Sequence, residues 1–298
     1  MGFRLSTGAK GEKVGKLLEL DETKFQEGFS REPIEVHHRL HEHPFFTFEA
    51  IAELADALPR DLTGRLSGGL PVAWGEADDI PRGAEERPGD VVRTIHENAS
   101  RLMLWEIEQK PEYRALTNAC LDELQACTAS QSGPLRQRMV RMFVSSPGSV
   151  TPAHFDVEQN LILQIRGKKA LTVGRFDSPA EEQRVLERWW DCGCNQNLDT
   201  LPPELVTFNL EPGTGAYLPN LAPHWTVNGE EPSVTLSMFF RTRASEQYEL
   251  AQAFNSRCRR LSHSLRPPGL SRRVDWGKAA VVRTHALARR VRGEKGTS

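Results

Sequence analysis

"TPAHFDVEQNLILQIRGKK", residues 151–169, decides how this chain is read. Its apolar residues mark it as buried sheet, yet it also carries a histidine, an aspartate, an asparagine and a lysine. Burying such groups without partners costs several kcal/mol, roughly 2–7 for each neutral one, so the pattern implies that something is bound there. In an extended strand, side chains two apart share a face. His154 and Asp156 therefore point the same way, and Asn160 and Gln164 join them if no bulge intervenes. Ile162 falls in the same row as a wall residue, while Phe155, Leu161, Leu163 and Ile165 pack on the other side. Imidazole and carboxylate at i and i+2 supply two metal ligands, and a third must come from elsewhere.

The well-placed candidate is His224 in "GAYLPNLAPHWTVN" (215–228), where a Gly/Pro-rich turn leads into another strand-like run. Two histidines and one carboxylate are the ligand set of non-haem Fe(II) oxygenases, which hold one face of an octahedron and leave the rest open. An HxD pair alone is equally a hydrogen-bonded structural pair. "HHRLHEH" (37–43) is richer in imidazoles, but it precedes an ordinary amphipathic helix and reads as structural.

Composition limits the remaining possibilities. With 298 residues, 38% of them hydrophobic and 26% charged, the chain can bury a substantial core. No apolar run approaches the roughly 18–20 residues of a membrane span, and the start has no secretory apolar stretch, so a cytoplasmic protein is expected. Five cysteines, Cys120, Cys127, Cys192, Cys194 and Cys258, have spacings that make neither a disulfide framework nor a four-ligand zinc site. Cys192 and Cys194 read as free loop thiols. A formal net charge of −2 gives no support to a nucleic-acid partner.

Along the chain, residues 1–24 read as a loosely ordered N-terminus. "EPIEVHHRL" (32–40) alternates like an edge strand, and "FTFEAIAELADALP" (46–59) has helical spacing up to Pro59. Residues 76–90 read as a surface loop. From about Asp90 to Thr128 the pattern predicts helix, with "ASRLMLWEIEQ" (99–109) and "EYRALTNACLDELQACT" (112–128) divided at Pro111. From 137 to 242 short β-type runs alternate with Gly/Pro turns, the rhythm of an antiparallel barrel or sandwich. The tail from 245 holds twelve Lys/Arg against four Asp/Glu and reads as a solvated helical face, with Val281, Leu287, Ala288 and Val291 able to pack on the core or on a second subunit.

The central stretch resembles the Jumonji-C (JmjC), cupin-like family of Fe(II)- and 2-oxoglutarate-dependent oxygenases, and most closely the branch of the hypoxia-inducible factor asparaginyl hydroxylase. That branch carries T-P-A-H-[FY]-D, a Gln-Asn pair and Q-I-x-G-x-K, all present in 151–169. "LPNLAPHWTVNGEEPSVTLSMFF" (218–240) resembles it more loosely. The resemblance implies a mainly β fold with flanking helices around a double-stranded β-helix, or jelly-roll, core. It implies a catalytic domain over 25–245 with a helical N-terminal part, followed by a basic helical segment over 246–298 that forms a homodimer.

Carried over residue by residue, the resemblance makes His154, Asp156 and His224 the iron ligands and Lys169 the cation for the distal carboxylate of 2-oxoglutarate. Thr151 would hydrogen-bond that carboxylate, and Asn160 would hold the co-substrate near the metal. The branch has an asparagine near the position of Met238, and here Ser237 is its replacement. Fe(II), 2-oxoglutarate and O2 would convert a substrate C–H to C–OH, with succinate and CO2 as co-products. A peptide or protein side chain is the favoured substrate. A small metabolite, with Trp189, Trp190 and Trp225 near the mouth, and a non-oxygenase cupin metal protein are the alternatives.

Overall fold

The computed structural model describes residues 15–74, 86–192, 196–259 and 265–291. Two antiparallel sheets form the core, as the resemblance implies. The larger has the order β1-β2-β10-β7-β12-β5-β4-β3 and the smaller β6-β11-β8-β9. In chain order these are β1 (Leu18–Glu19), β2 (Ile34–His38), β3 (Thr63–Ser67), β4 (Ser100–Trp105), β5 (Arg136–Ser145) and β6 (Val150–His154). They continue with β7 (Gln159–Arg166), β8 (Lys169–Gly174), β9 (Glu204–Leu210), β10 (Thr214–Leu218), β11 (His224–Asn228) and β12 (Ser233–Arg241). The helices are α1 (Glu22–Gly28), α2 (Phe48–Ala57), α3 (Pro88–Arg93), α4 (Pro111–Ser132), α5 (Pro179–Cys192), α6 (Arg243–Arg259) and α7 (Arg272–Val291). This is the double-stranded β-helix of the JmjC and cupin folds, with helices around it.

The two faces of the large sheet have different tasks. Leu161, Leu163 and Ile165 of β7 and Leu236, Met238 and Phe240 of β12 point outward, into a core shared with Ile51 and Leu54 of α2 and Leu121 and Leu124 of α4. Ile162 points inward and packs with Leu171 and Val173 of the small sheet. A sheet covered on both faces reads as continuous apolar runs, and only its inward positions have room for polar groups. Local chemistry sets the element ends. The Thr47 side chain accepts a hydrogen bond from Ala50 N at 3.2 Å and starts α2, which stops before Pro59. Gly167 turns β7 into β8 with φ +65°, where a Cβ would lie 2.3 Å from the carbonyl oxygen of Pro232.

Four expectations are corrected. Residues 100–105 form β4, not helix. Every one of them is buried, and the segment pairs with both β3 and β5, so sheet burial overrides its helical periodicity. β2 is not an edge, because β1 and β10 pair with its two sides. Residues 15–24 are not loose: Leu18 is buried, and Leu17 N and Leu18 N both donate to the Glu123 carboxylate, each at 2.9 Å. In the tail, α6 and α7 pack together, but the buried apolar side chains among the described residues of α7 are Ala279 and Val282, while Val281 is 54% exposed. The side chains of Leu287, Ala288 and Val291, the thiols of Cys192 and Cys194, residues 1–14 and most of the 76–90 loop lie outside the described residues. Among the described residues, no helix is long and apolar enough to cross a membrane.

Candidate functional site

β6 ends at His154 and β11 begins at His224, and the register places these two residues directly opposite each other. Their rings lie 4.2 Å apart, centroid to centroid. Asp156 is not on the same strand. The chain turns between β6 and β7, and Asp156 sits in that turn, where its carbonyl accepts from Leu221 N at 2.7 Å. Sharing of a face by strand parity therefore does not explain the HxD pair; the turn and the His224 loop bring the three groups together. One ligand atom from each of His154, Asp156 and His224 lies within 4.8 Å of the others. Among the described residues, no second set of three such side chains converges in this way.

The donor set fits a divalent metal. His154 Nδ1 and His224 Nδ1 each contact a backbone carbonyl, Pro152 O at 2.8 Å and Ala222 O at 3.0 Å. A carbonyl can only accept, so each ring donates from Nδ1 and turns its Nε2 toward the cluster. Burial, reinforced by the neighbouring His154, pushes the His224 pKa down to about 4, so its ring is neutral. His224 Nε2 lies 3.5 Å from Asp156 Oδ2. With no proton on Nε2, two lone-pair atoms face each other at a distance that a cation between them would satisfy. Asn160 Nδ2 donates to Asp156 Oδ2 at 3.3 Å, while its own Oδ1 is buried without a partner.

A cavity of about 380 Å³ runs inward from this cluster, lined by residues of both sheets. Thr151, Asn160, Lys169 and Ser237 all line it. Lys169 is buried and its ammonium has no carboxylate partner among the described residues. Burial, with the charge of Arg101 added, lowers its pKa to about 7. Arg101 Nη1 donates to Thr151 Oγ1 at 3.1 Å, so two cations and a hydroxyl gather at this end. Ser237 faces the cavity, whereas Met238 is buried in the outer core.

Other candidates have different places. Gln164 is structural: its amide donates to Arg166 O and Ser233 Oγ and accepts from Thr235 Oγ1. Trp189 lines the cavity, but Trp225 is buried against Phe155 and Leu186 in a separate cluster. Trp190 packs edge-on against Trp189. His38 contacts the carbonyls of Gln164 and Thr214, which accounts for one histidine of the 37–43 cluster structurally. Sequence reasoning missed Arg101, Arg141, Gln196 and Asn197, all of which line the cavity. Arg101 and Arg141 sit on inward positions of β4 and β5, and strand parity applied to "SRLMLW" and "QRMVRMFV" finds them. Asn197 is brought in by an isolated bridge to His154 that no local pattern signals.

No curated protein matches the chain. Among solved structures, YcfD from Escherichia coli superposes with a TM-score of 0.52 at 17% identity, over 91% of this chain and 68% of that one. A structure of YcfD as a ribosomal oxygenase in complex with cobalt and 2-oxoglutarate gives 0.52 at 16% identity, over 91% and 67%. At such identity the likeness is one of fold. Residues 114–249 match the family model of the JmjC domain. That span takes in β5 to β12 and all three residues of the triad, so the candidate site lies within the part of the chain that is similar to the JmjC domain.

Proposed function

We propose that the chain is an Fe(II)- and 2-oxoglutarate-dependent oxygenase that hydroxylates a C–H bond of a peptide or protein side chain. One observation carries the reading. A His/Asp/His cluster that can hold a metal ion stands at one end of a cavity, and a buried lysine with no acidic partner among the described residues stands near the other. An unpaired buried ammonium is costly, and a dicarboxylate that reaches both the metal and Lys169 removes that cost.

His154, Asp156 and His224 would hold the iron, which with 2-oxoglutarate and O2 supplies the oxidant for C–H hydroxylation. The chain's own residues bind and orient. The carbonyls of Pro152 and Ala222 fix the two ring tautomers, and Asn160 holds the Asp156 carboxylate in place. Lys169 neutralises the distal carboxylate, Thr151 donates to it, and Ser237 lines the opposite wall. Ile162 and Phe143 keep the middle of the cavity apolar.

The mouth favours a peptide over a small molecule. The segment after α5 runs beside β6, with Phe155 N donating to Gln196 O and Leu198 N to Ala153 O, so Trp189, Gln196 and Asn197 form a rim along one side of the mouth. An extended chain can lie along such a rim. A fold shared with a ribosomal oxygenase supports the same choice. The test is incubation of the protein with Fe(II), 2-oxoglutarate and a cell lysate, followed by succinate measurement and mass spectrometry of peptides and metabolites. Succinate formation with one added oxygen on a peptide is expected. Oxygen added only to small molecules overturns the peptide reading, and absence of succinate overturns the oxygenase reading.

A further inference from the structure

Arg141 is a cation that the chemistry above does not use. It lies on β5 opposite Ser237 of β12, and it lines the same cavity as the metal cluster. Its guanidinium carbon sits 4.6 Å from the centre of the Phe239 ring. Phe239 pairs in register with Asn160, whose amide donates to Asp156. The guanidinium is thereby directed to the metal end of the cavity, across from the triad. Lys169 lies away from it on the other sheet, at the register position of Asn228, four residues beyond His224.

Arg141 has no carboxylate partner among the described residues, and its Nε is buried without a hydrogen bond. Stacking on Phe239 fixes the plane of the guanidinium and leaves its edge free to donate. The charge balance points the same way. Arg141 and Lys169 line the cavity, and Asp156 is the one acidic residue among the described residues that line it. A divalent metal and a dicarboxylate cancel each other, so the loaded cavity remains cationic and selects what enters beside them. A lysine or arginine side chain would meet repulsion there in a site with restricted water. A carboxylate would meet a planar donor edge that matches its own geometry.

We infer that Arg141 is a specificity-determining residue that receives a carboxylate of the substrate, which makes the substrate an acidic one: in a peptide, an Asp or Glu side chain next to the carbon that reacts. The inference rests on the oxygenase reading for the identity of the loaded site, but its test reads binding alone.

The experiment uses the whole protein under anaerobic conditions, with Fe(II) and saturating 2-oxoglutarate so that the Lys169 end is filled. The probes are capped single residues in near-isosteric pairs, N-acetyl-aspartate N-methylamide against its asparagine counterpart, and the glutamate against the glutamine compound. Calorimetry compares wild type, Arg141→Gln and Arg141→Lys, with thermal melts as a check of folding. The wild type is expected to bind each acid on the order of ten-fold more tightly than its amide, the discrimination of one charge-assisted contact. Arg141→Gln is expected to reduce that ratio to near one, and Arg141→Lys to retain part of it. The inference is overturned if the wild type shows no acid preference, binding of neither probe included, or if Arg141→Gln keeps the preference. It is overturned too if Arg141→Gln weakens 2-oxoglutarate and leaves the ratio unchanged, since Arg141 would then serve the co-substrate. Succinate formation by the wild type, measured separately, shows whether the oxygenase reading itself stands.

Discussion

Lys168 and Lys169 are neighbours in the chain and lie on opposite sides of the barrel wall. Lys169 is buried and lines the cavity, while Lys168 is exposed and pairs with Glu211 at 3.3 Å on the outside. Lys169→Ala is expected to raise the 2-oxoglutarate concentration needed for half-maximal turnover by on the order of 10- to 100-fold, the loss of one charge-assisted contact. Lys168→Ala is expected to change it little, because an exposed pair contributes about 0–1 kcal/mol. Steady-state kinetics on both variants checks the contrast, and equal effects would show that the inward lysine has been misassigned.

Binding of 2-oxoglutarate is expected to take up a proton. Burial, then the charge of Arg101, lowers the Lys169 pKa in the free protein to about 7. A bound carboxylate favours the ammonium and raises that pKa, so affinity falls as pH rises above about 7. The sign for stability is opposite. Between about 7 and the ordinary lysine value the unfolded chain holds the proton that the folded one has lost, so this group's contribution to stability rises with pH. Calorimetry in buffers of different ionisation enthalpy measures the uptake, and affinity that is flat or rising with pH would contradict it.

Asp156→Ala is expected to abolish Fe(II)-dependent turnover of 2-oxoglutarate and to weaken Co(II) binding, since one of three protein ligands is lost. The fold should persist, because Asp156 lies in a turn and its backbone bond to Leu221 does not involve the carboxylate. Cobalt absorption titrations and circular dichroism separate the two effects. Full turnover by a folded variant would rule out the triad.

Gly167→Ala and Gly148→Ala form a matched pair. Both glycines have φ +65°, but a Cβ at Gly148 meets nothing within 4 Å, whereas one at Gly167 meets Pro232 O at 2.3 Å. Gly148→Ala should cost about 1 kcal/mol, the strain of a left-handed backbone, and Gly167→Ala about 2–4 kcal/mol, because the β7–β8 turn must also open. Urea denaturation gives both values. Opening that turn should weaken 2-oxoglutarate binding as well, because Lys169 is two residues away.

Periodicity read short-range features well. α2 ends before Pro59 as its spacing predicts. The run over 151–169 was legible as a candidate site because polar groups in a buried strand require partners. Periodicity failed where the same residues satisfy two patterns. "SRLMLW" is apolar at helical spacing, but the free edges of β3 and β5 accept it as β4. The inference that His154 and Asp156 share a strand face failed as well, because the chain turns at Asp156 and long-range contacts with the His224 loop set its position.

The amino-acid sequence by itself determined the residue types of the candidate site and the barrel rhythm, since these depend on residue chemistry and on a two-residue repeat. Only the tertiary structure decided that His224 lies opposite His154, that the 196–198 segment walls the mouth, and that Arg101 and Arg141 enter the same cavity. Those placements depend on which strands become neighbours across two sheets. Register between segments distant in the chain is fixed by the packing of the whole core, and no local stretch carries that information.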